Sequence, residues 1–325
     1  MVRLLAVCCL VLAVGCGAPR INLFPDSTEP LREFTLEGKG KEKVVVIPLT
    51  GTISDKPKKG LFRPEPSMVQ EFVSQLKAAE KDPDVRAVVL KVDSPGGTVT
   101  ASDVLYHEIA GFKERTGTVV VAAFMKSATS GAYYLSLPAD LIVAHPTTVT
   151  GSTGVIFLRP KVAGLHDKIG VGVEVSKSGS LKDMGSPFRS TTEEEERILQ
   201  GMIDELARRF LGLVVLHRSL GEEALSEVAT ARVYLAREAL DLGLVDEIGY
   251  LDDALARTRT LAGLPEDGRV VVYRRRTFTD DNIYNSAALR DVGTELRLLD
   301  LGPAASFSAL DPGFHYLWIP ALGSP

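Results

Sequence analysis

Beyond residue 16 this 325-residue sequence has no cysteine, since all three lie at Cys8, Cys9 and Cys16. The rest of the chain therefore has no internal disulfide, no thiolate nucleophile and no cysteine metal site. Chemistry falls to Ser, Thr, Lys, His or carboxylates, and no metal or cofactor is expected. Histidine is scarce as well, with His107, His145, His166, His217 and His315 only, none in a local setting that marks a catalytic base. Positive charge is not in excess: 37 Lys and Arg against 42 Asp and Glu leave a formal charge of −5. That balance lacks the cationic footprint needed to neutralise phosphates, so nucleic acid is not an expected partner.

What is present begins with an export layout. Arg3 precedes an apolar stretch too short to span a bilayer comfortably, and small residues follow it. The end of that stretch, Leu12-Ala13-Val14-Gly15-Cys16, resembles the bacterial lipobox, in which Cys16 is acylated and becomes the new first residue. Residues 1–15 read as a signal peptide and 16–42 as a lipid-anchored tether, rich in Pro, Gly and charge. Residues 43–275 read as the catalytic domain and 276–325 as a C-terminal extension that packs on the domain or on a neighbouring subunit. The expected location is exported and membrane-associated.

Short β-branched runs recur at 44–49, 87–90, 118–123 and 141–144, nearly continuous in apolar residues, as in buried parallel strands. Helical spacing lies between them at 69–81 and 102–115, which makes the fold class α/β. A short strand is expected over 171–175, and a long helix runs from a capping box of Ser190 and Glu193 to about His217. Strands at 244–248 and 270–273 flank a helix over 252–261, and one further helix is expected near 288–299.

Three stretches could carry chemistry. Asp93-Ser94-Pro95-Gly96-Gly97 follows a strand, and paired glycines there let backbone amides approach a substrate, although Pro-Gly-Gly also serves as a plain turn. Ser127-Ala128-Thr129-Ser130-Gly131-Ala132 joins a strand to a helix start, where a serine hydroxyl is exposed and the next amide, of Gly131, lies at the positive end of the helix. An N-cap role is the plainer account of those hydroxyls at a Ser-rich helix start. A serine needs a base, and a desolvated neutral lysine serves as one. The loop Lys177 to Arg189 offers Lys182, and Lys126 is a rival.

The ordered set of motifs resembles the bacterial signal peptide peptidase A family over about residues 44–262. It comprises Asp93-Ser94-Pro95-Gly96-Gly97, Ser130-Gly131-Ala132-Tyr133-Tyr134, Thr150-Gly151-Ser152-Thr153-Gly154, Lys177-Ser178-Gly179 with Lys182-Asp183 and Ser186-Pro187, Arg232-Val233-Tyr234 and Gly243-Leu244-Val245-Asp246. The resemblance implies a Clp/crotonase-like fold and a serine peptidase in which Ser130 is the nucleophile and Lys182 the general base. It further implies that Ser152 orients the lysine, and that the amide of Gly131 with that of Gly96 or Gly97 forms the oxyanion hole. Peptide substrates such as remnant signal peptides, the membrane and other copies of the chain in a homo-oligomer are the implied partners. Asp93, Ala132 and Thr153 depart from the family's usual Asn, Gly and aliphatic residue, and Asp93 would weaken the hole if it pointed inward. Two other readings keep the fold: an inactive membrane-tethered scaffold or peptide-binding protein, and an acyl-CoA enzyme.

Overall fold

The structure is a computed structural model that describes residues 29–57, 65–164, 168, 170, 172–275, 277–278, 281–285 and 313–318. Its first half runs β1 (Arg32–Glu37), β2 (Lys39–Thr50), α1 (Met68–Lys81), β3 (Val85–Ser94), β4 (Gly96–Thr98), α2 (Val99–Thr116), β5 (Val119–Thr129) and α3 (Gly131–Ser136). There follow β6 (Leu141–Ala144), β7 (Val149–Gly151), β8 (Ile156–Leu158), α4 (Glu193–His217), α5 (Glu222–Val228), β9 (Val233–Leu235), α6 (Ala236–Asp241), β10 (Glu247–Ile248), α7 (Leu251–Leu261), β11 (Gly268–Arg274) and β12 (Gly313–Leu317).

A run of β-branched residues with no polar face is stable as a strand only in a sheet covered on both sides. The four runs found in the sequence become β2, β3, β5 and β6, which lie side by side and parallel. β10 continues the parallel order beyond β6 and β11 beyond β2, while β1 closes that edge antiparallel to β11. Alternate residues of each strand face opposite ways. Val45, Ile47, Val88 and Leu90 meet Phe72 and Leu76 of α1 and Leu105, Ile109 and Phe112 of α2. Val44, Val46, Val89 and Val121 meet Leu251, Ala254 and Leu255 of α7. The chain is thus a mixed α/β protein built on a largely parallel sheet.

Two features of this sheet place the chemistry. β5 runs on past β6 and pairs at its far end with β7, so the strand that carries Ser130 is held to its last residue. A second sheet of β4, β12 and β8 stands over that end, with β12 antiparallel to both neighbours.

Several expectations are corrected. Residues 32–42 are not tether: β1 and the start of β2 occupy them, because Phe34 and its neighbours cover the β11 edge. No strand forms over the described part of 171–175, where the residues are exposed and have no sheet to join. The box that opens α4 lies at Thr192 and Glu195 rather than at Ser190 and Glu193. Thr192 Oγ1 accepts from the Glu195 amide at 3.2 Å and Glu195 accepts from the Thr192 amide at 2.9 Å. The signal segment, Cys16, His166 and the helix expected near 288–299 lie outside the described residues. No helix among the described residues is long and apolar enough to cross a membrane.

Candidate active site

Thr129 at the end of β5 pairs with Gly151 at the end of β7, so the next residues, Ser130 and Ser152, emerge beside one another. Both have φ of 55°, a left-handed conformation that costs an ordinary residue of order 1–3 kcal/mol and persists only where the surroundings enforce it. They do so here. The Ser130 amide donates to the Gly151 carbonyl at 2.7 Å, the Ser130 carbonyl accepts the first helical bond from Tyr134 at 2.9 Å, and the Ser152 amide donates to the Arg232 carbonyl at 2.8 Å.

The sharp turn at Ser130 prevents its hydroxyl from capping α3, so the N-cap reading does not hold. Ser130 Oγ is buried and has no hydrogen-bond partner in the single chain. A buried hydroxyl left unpaired costs about 1–3 kcal/mol, so it stands out in a fold whose other serines here are bonded, such as Ser102 to the Thr98 carbonyl at 2.9 Å and Ser136 to that of Ala132 at 2.8 Å.

The two glycines of β4 do different things. The Gly96 amide donates to Ser94 Oγ at 3.1 Å and is thereby occupied. Gly97 leaves no room for a side chain, because a Cβ there would run into the Ile53 backbone. Across from β4, the Trp318 amide donates to the Pro95 carbonyl at 2.9 Å. Hydrogen-bonded pairs recur every second residue in an antiparallel ladder, so the next such pair is Gly97 with Tyr316, and the Gly97 amide faces the Tyr316 carbonyl. That carbonyl oxygen also lies against Gly96, where a Cβ would overlap it, and a Cβ on Gly131 would stand 3.1 Å from it. The backbones of Gly96, Gly97 and Gly131 therefore converge on one peptide carbonyl next to Ser130. Sequence reasoning left β12 unassigned, though the aromatic run Phe314-His315-Tyr316-Leu317-Trp318 in an otherwise weakly patterned tail was its signal.

Lys182 is placed differently. It is exposed, on a series of turns over 178–189, and no hydrogen bond joins it to Ser130 or Ser152 within one copy. The desolvated setting expected for it is absent from the single chain. Its neighbours explain why the turn is nevertheless shaped. Asp183 accepts from Lys177 at 2.7 Å and from both Nε and Nη2 of Arg189, at 2.9 and 2.8 Å. Arg189 also binds Glu195, the capping-box partner of Thr192 at the start of α4. The Arg189 guanidinium, and after it Lys177, hold the Asp183 carboxyl well below the usual carboxylate range, while Arg189 and the Thr192 amide bring Glu195 down to about 2. This clamp went unrecognised in the sequence, where Asp183 counted only as part of a motif.

The remaining candidates resolve simply. Asp93 accepts from the Ser127 amide at 3.2 Å, Thr153 donates to the Val228 carbonyl at 2.6 Å and Ala132 is buried in the core. Lys126 is exposed. His217 bonds the Tyr106 hydroxyl at 2.8 Å and His145 bonds Thr147 at 2.9 Å, while His107 is exposed and His315 lies in β12. Among the described residues no group of His, Cys, Asp and Glu could hold a metal ion.

A family model described as Peptidase family S49 matches residues 113–265, which include Ser130, Ser152 and Lys182. A putative signal peptide peptidase SppA of Enterococcus faecium is 36% identical over 256 residues, covering 79% of this chain and 74% of that protein. The chain belongs to the signal peptide peptidase A family of S49 peptidases. Protease 4 of Haemophilus influenzae is 32% identical over 241 residues, covering 74% of this chain and 38% of its own. Serine protease SPPA, chloroplastic, of Arabidopsis thaliana is 30% identical over 235 residues, covering 72% and 34%. As an S49-family serine protease, this chain thus aligns with little more than a third of each of those two longer relatives.

Proposed function

We propose that the protein is a serine endopeptidase with a Ser130/Lys182 dyad on a Clp/crotonase-like fold, acting on peptides such as remnant signal peptides close to a membrane. One observation carries this reading: Ser130 is held at positive φ with its hydroxyl buried, unbonded and next to the glycine backbones that converge on a peptide carbonyl. In the reaction the neutral Lys182 amine takes the Ser130 proton, and Oγ attacks the substrate carbonyl carbon. The resulting oxyanion lies between the amides of Gly97 and Gly131, where each donor is worth about 10²–10³ in rate. The lysine ammonium then protonates the leaving amine, and a water, activated by the same nitrogen, releases the acyl group from Ser130.

Because Lys182 is solvated in one copy while the Ser130 hydroxyl lacks a partner, the dyad is completed between copies in a homo-oligomer, with Ser152 beside the nucleophile to orient the arriving amine. Acylation of Cys16 would hold the assembly at the membrane, where apolar peptides concentrate. Ser130→Ala and Lys182→Ala are each expected to lower peptide hydrolysis by at least about 10³-fold without changing the oligomer or its melting temperature. Mixing the two dissociated variants should restore part of the activity. Full activity in either variant alone would remove the dyad, and no recovery on mixing would place serine and lysine in one copy. The solvated lysine also favours a second reading, an inactive peptide-binding scaffold, for which the wild type would give no Ser130 adduct with a fluorophosphonate.

A further inference from the structure

Residues 186–191 lie outside any helix or strand, so their peptide carbonyls must find partners elsewhere or stay in water. Three of them find partners in one place. The Lys161 ammonium donates to the Ser186 and Arg189 carbonyls, each at 3.2 Å, and to the Thr191 hydroxyl at 2.6 Å, which engages all three of its donors. The Val162 amide donates to the intervening Pro187 carbonyl at 2.9 Å. Arg159 Nη2, on the same stretch, holds the Glu196 carboxylate in the first turn of α4 at 2.6 and 2.8 Å. All these donors stand at the exit of β8, the strand that the chain enters shortly after Ser152.

From this anchor to Lys182 the chain has little freedom. The Ser186 amide donates to the Asp183 carbonyl at 3.0 Å, the Met184 amide to that of Leu181 at 3.0 Å, and the Lys182 amide to that of Gly179 at 3.1 Å. Lys182 sits inside these overlapping turns. Arg189, whose carbonyl Lys161 holds, reaches back to both carboxylate oxygens of Asp183. Ahead of the turns, residues 172–177 are exposed and belong to no element, so they supply no second anchor.

We propose that Lys161 is a positioning residue for the base: it bolts the turns that carry Lys182 to the exit of β8, so that the amine projects from each copy at a fixed place. The role rests on the Ser130/Lys182 dyad. Two tasks are separated here. The Asp183 clamp gives the turns their shape, whereas Lys161 gives the shaped unit its place on the body of the chain. Without the ammonium the turns would stay clamped internally and swing as a unit about the end of β8. A displacement of about 1 Å at a catalytic group can lower the rate about a hundredfold. Because the donors of Lys161 are engaged by residues 186–191, it acts on the reaction through Lys182.

The test follows fluorophosphonate labelling of Ser130 by intact mass in the full chain, as wild type, Lys161→Met, Lys182→Ala and the double variant. Methionine keeps the length of the stem and removes the three donors. Lys161→Met should label about 10–100 times more slowly than wild type, with an unchanged melting temperature. Added to Lys182→Ala, the same substitution should cost nothing further, because two residues that act through one amine are not additive. A wild-type rate in Lys161→Met, a melting temperature that falls with the rate, or the same fold loss in the Lys182→Ala background would overturn the positioning role. Rescue tests it a second way. Lys161→Cys should be as slow as Lys161→Met, and alkylation with bromoethylamine, which rebuilds an ammonium at the same reach, should restore most of the rate. Cys8, Cys9 and Cys16 are the other cysteines, so wild type treated alike is the reference. No recovery on alkylation would also overturn the role. The two levels fail differently: if Lys182→Ala labels as fast as wild type, the dyad falls and takes the positioning role with it, whereas loss in Lys182→Ala with full labelling in Lys161→Met removes the role of Lys161 alone.

Discussion

Around Ser130 the backbone is fixed by neighbouring strands and by buried carbonyls and amides, whereas around Lys182 it is fixed by charges at the surface. The first region is part of the sheet and shares its cooperativity, so a local change there is resisted by β5, β7 and β9 together. The second hangs on Asp183, with Lys177, Arg189 and Glu195 around it. Lys177 and Arg189 stay about a third exposed while Asp183 and Glu195 are largely covered, and pairs with such partly solvated cations are individually worth about 0–1 kcal/mol, so that region contributes little to global stability. On the proposed dyad, this contrast would divide the tasks of one site: the nucleophile and its amides would be preorganised to fractions of an ångström, while the base would sit on a segment whose own shape is kept by charge and whose final position would be set on assembly.

The strongest way to break this comparison is to cut the clamp. Asp183→Asn removes the charge that both Arg189 and Lys177 address, so peptide hydrolysis should fall by about 10–100-fold, as expected for a misplaced catalytic group, with no change in melting temperature. A melting temperature that falls with activity would show the loop to be part of the cooperative core. The pH dependence sharpens the point. Both carboxyls have depressed pKa values in the folded chain, so their contribution is present above the ordinary carboxylate range and is lost only as pH falls towards the folded values, which for Glu195 means about 2. The clamp should therefore outlast pH 4, and loss of lysine-dependent labelling at pH 5 must come from the base rather than from the loop.

A smaller effect tests the other region. Lys91 on β3 is buried, donates to the Ile283 carbonyl at 2.8 Å, and burial brings its pKa down to about 8. The unfolded chain binds that proton more tightly, so stability should rise with pH between about 8 and 10. Lys91→Met should abolish the rise and be stabilising by about 1–3 kcal/mol at pH 7, read by denaturant unfolding. A flat stability profile in the wild type would mean that the Ile283 and Asn285 carbonyls already compensate the charge.

The same division decides what the sequence reveals. The runs at 44–49, 87–90, 118–123 and 141–144 could be read directly, because burial on both faces of a sheet leaves a compositional mark. Ser130 and the glycine pair were legible as a serine and flexible residues at strand ends, yet nothing local distinguished Gly97 from Gly96. That difference arises from Ser94 taking one amide and β12 facing the other. The segment around Lys182 was marked by its motif but not by its geometry, since 171–175 has the composition of a strand and no partner strand to pair with. β12 was missed for the converse reason. Its five residues become a strand only through β4 and β8, which precede it by more than 150 positions in the chain.

The measurement that bears most directly on the proposed dyad is the rate at which a fluorophosphonate labels the intact protein from pH 5 to 10, with the modified residue located by peptide mass mapping. One adduct is expected, on Ser130, formed faster as pH rises in the wild type and lost in Lys182→Ala at every pH. An adduct on another residue, or a Lys182→Ala profile that matches the wild type, would contradict the dyad.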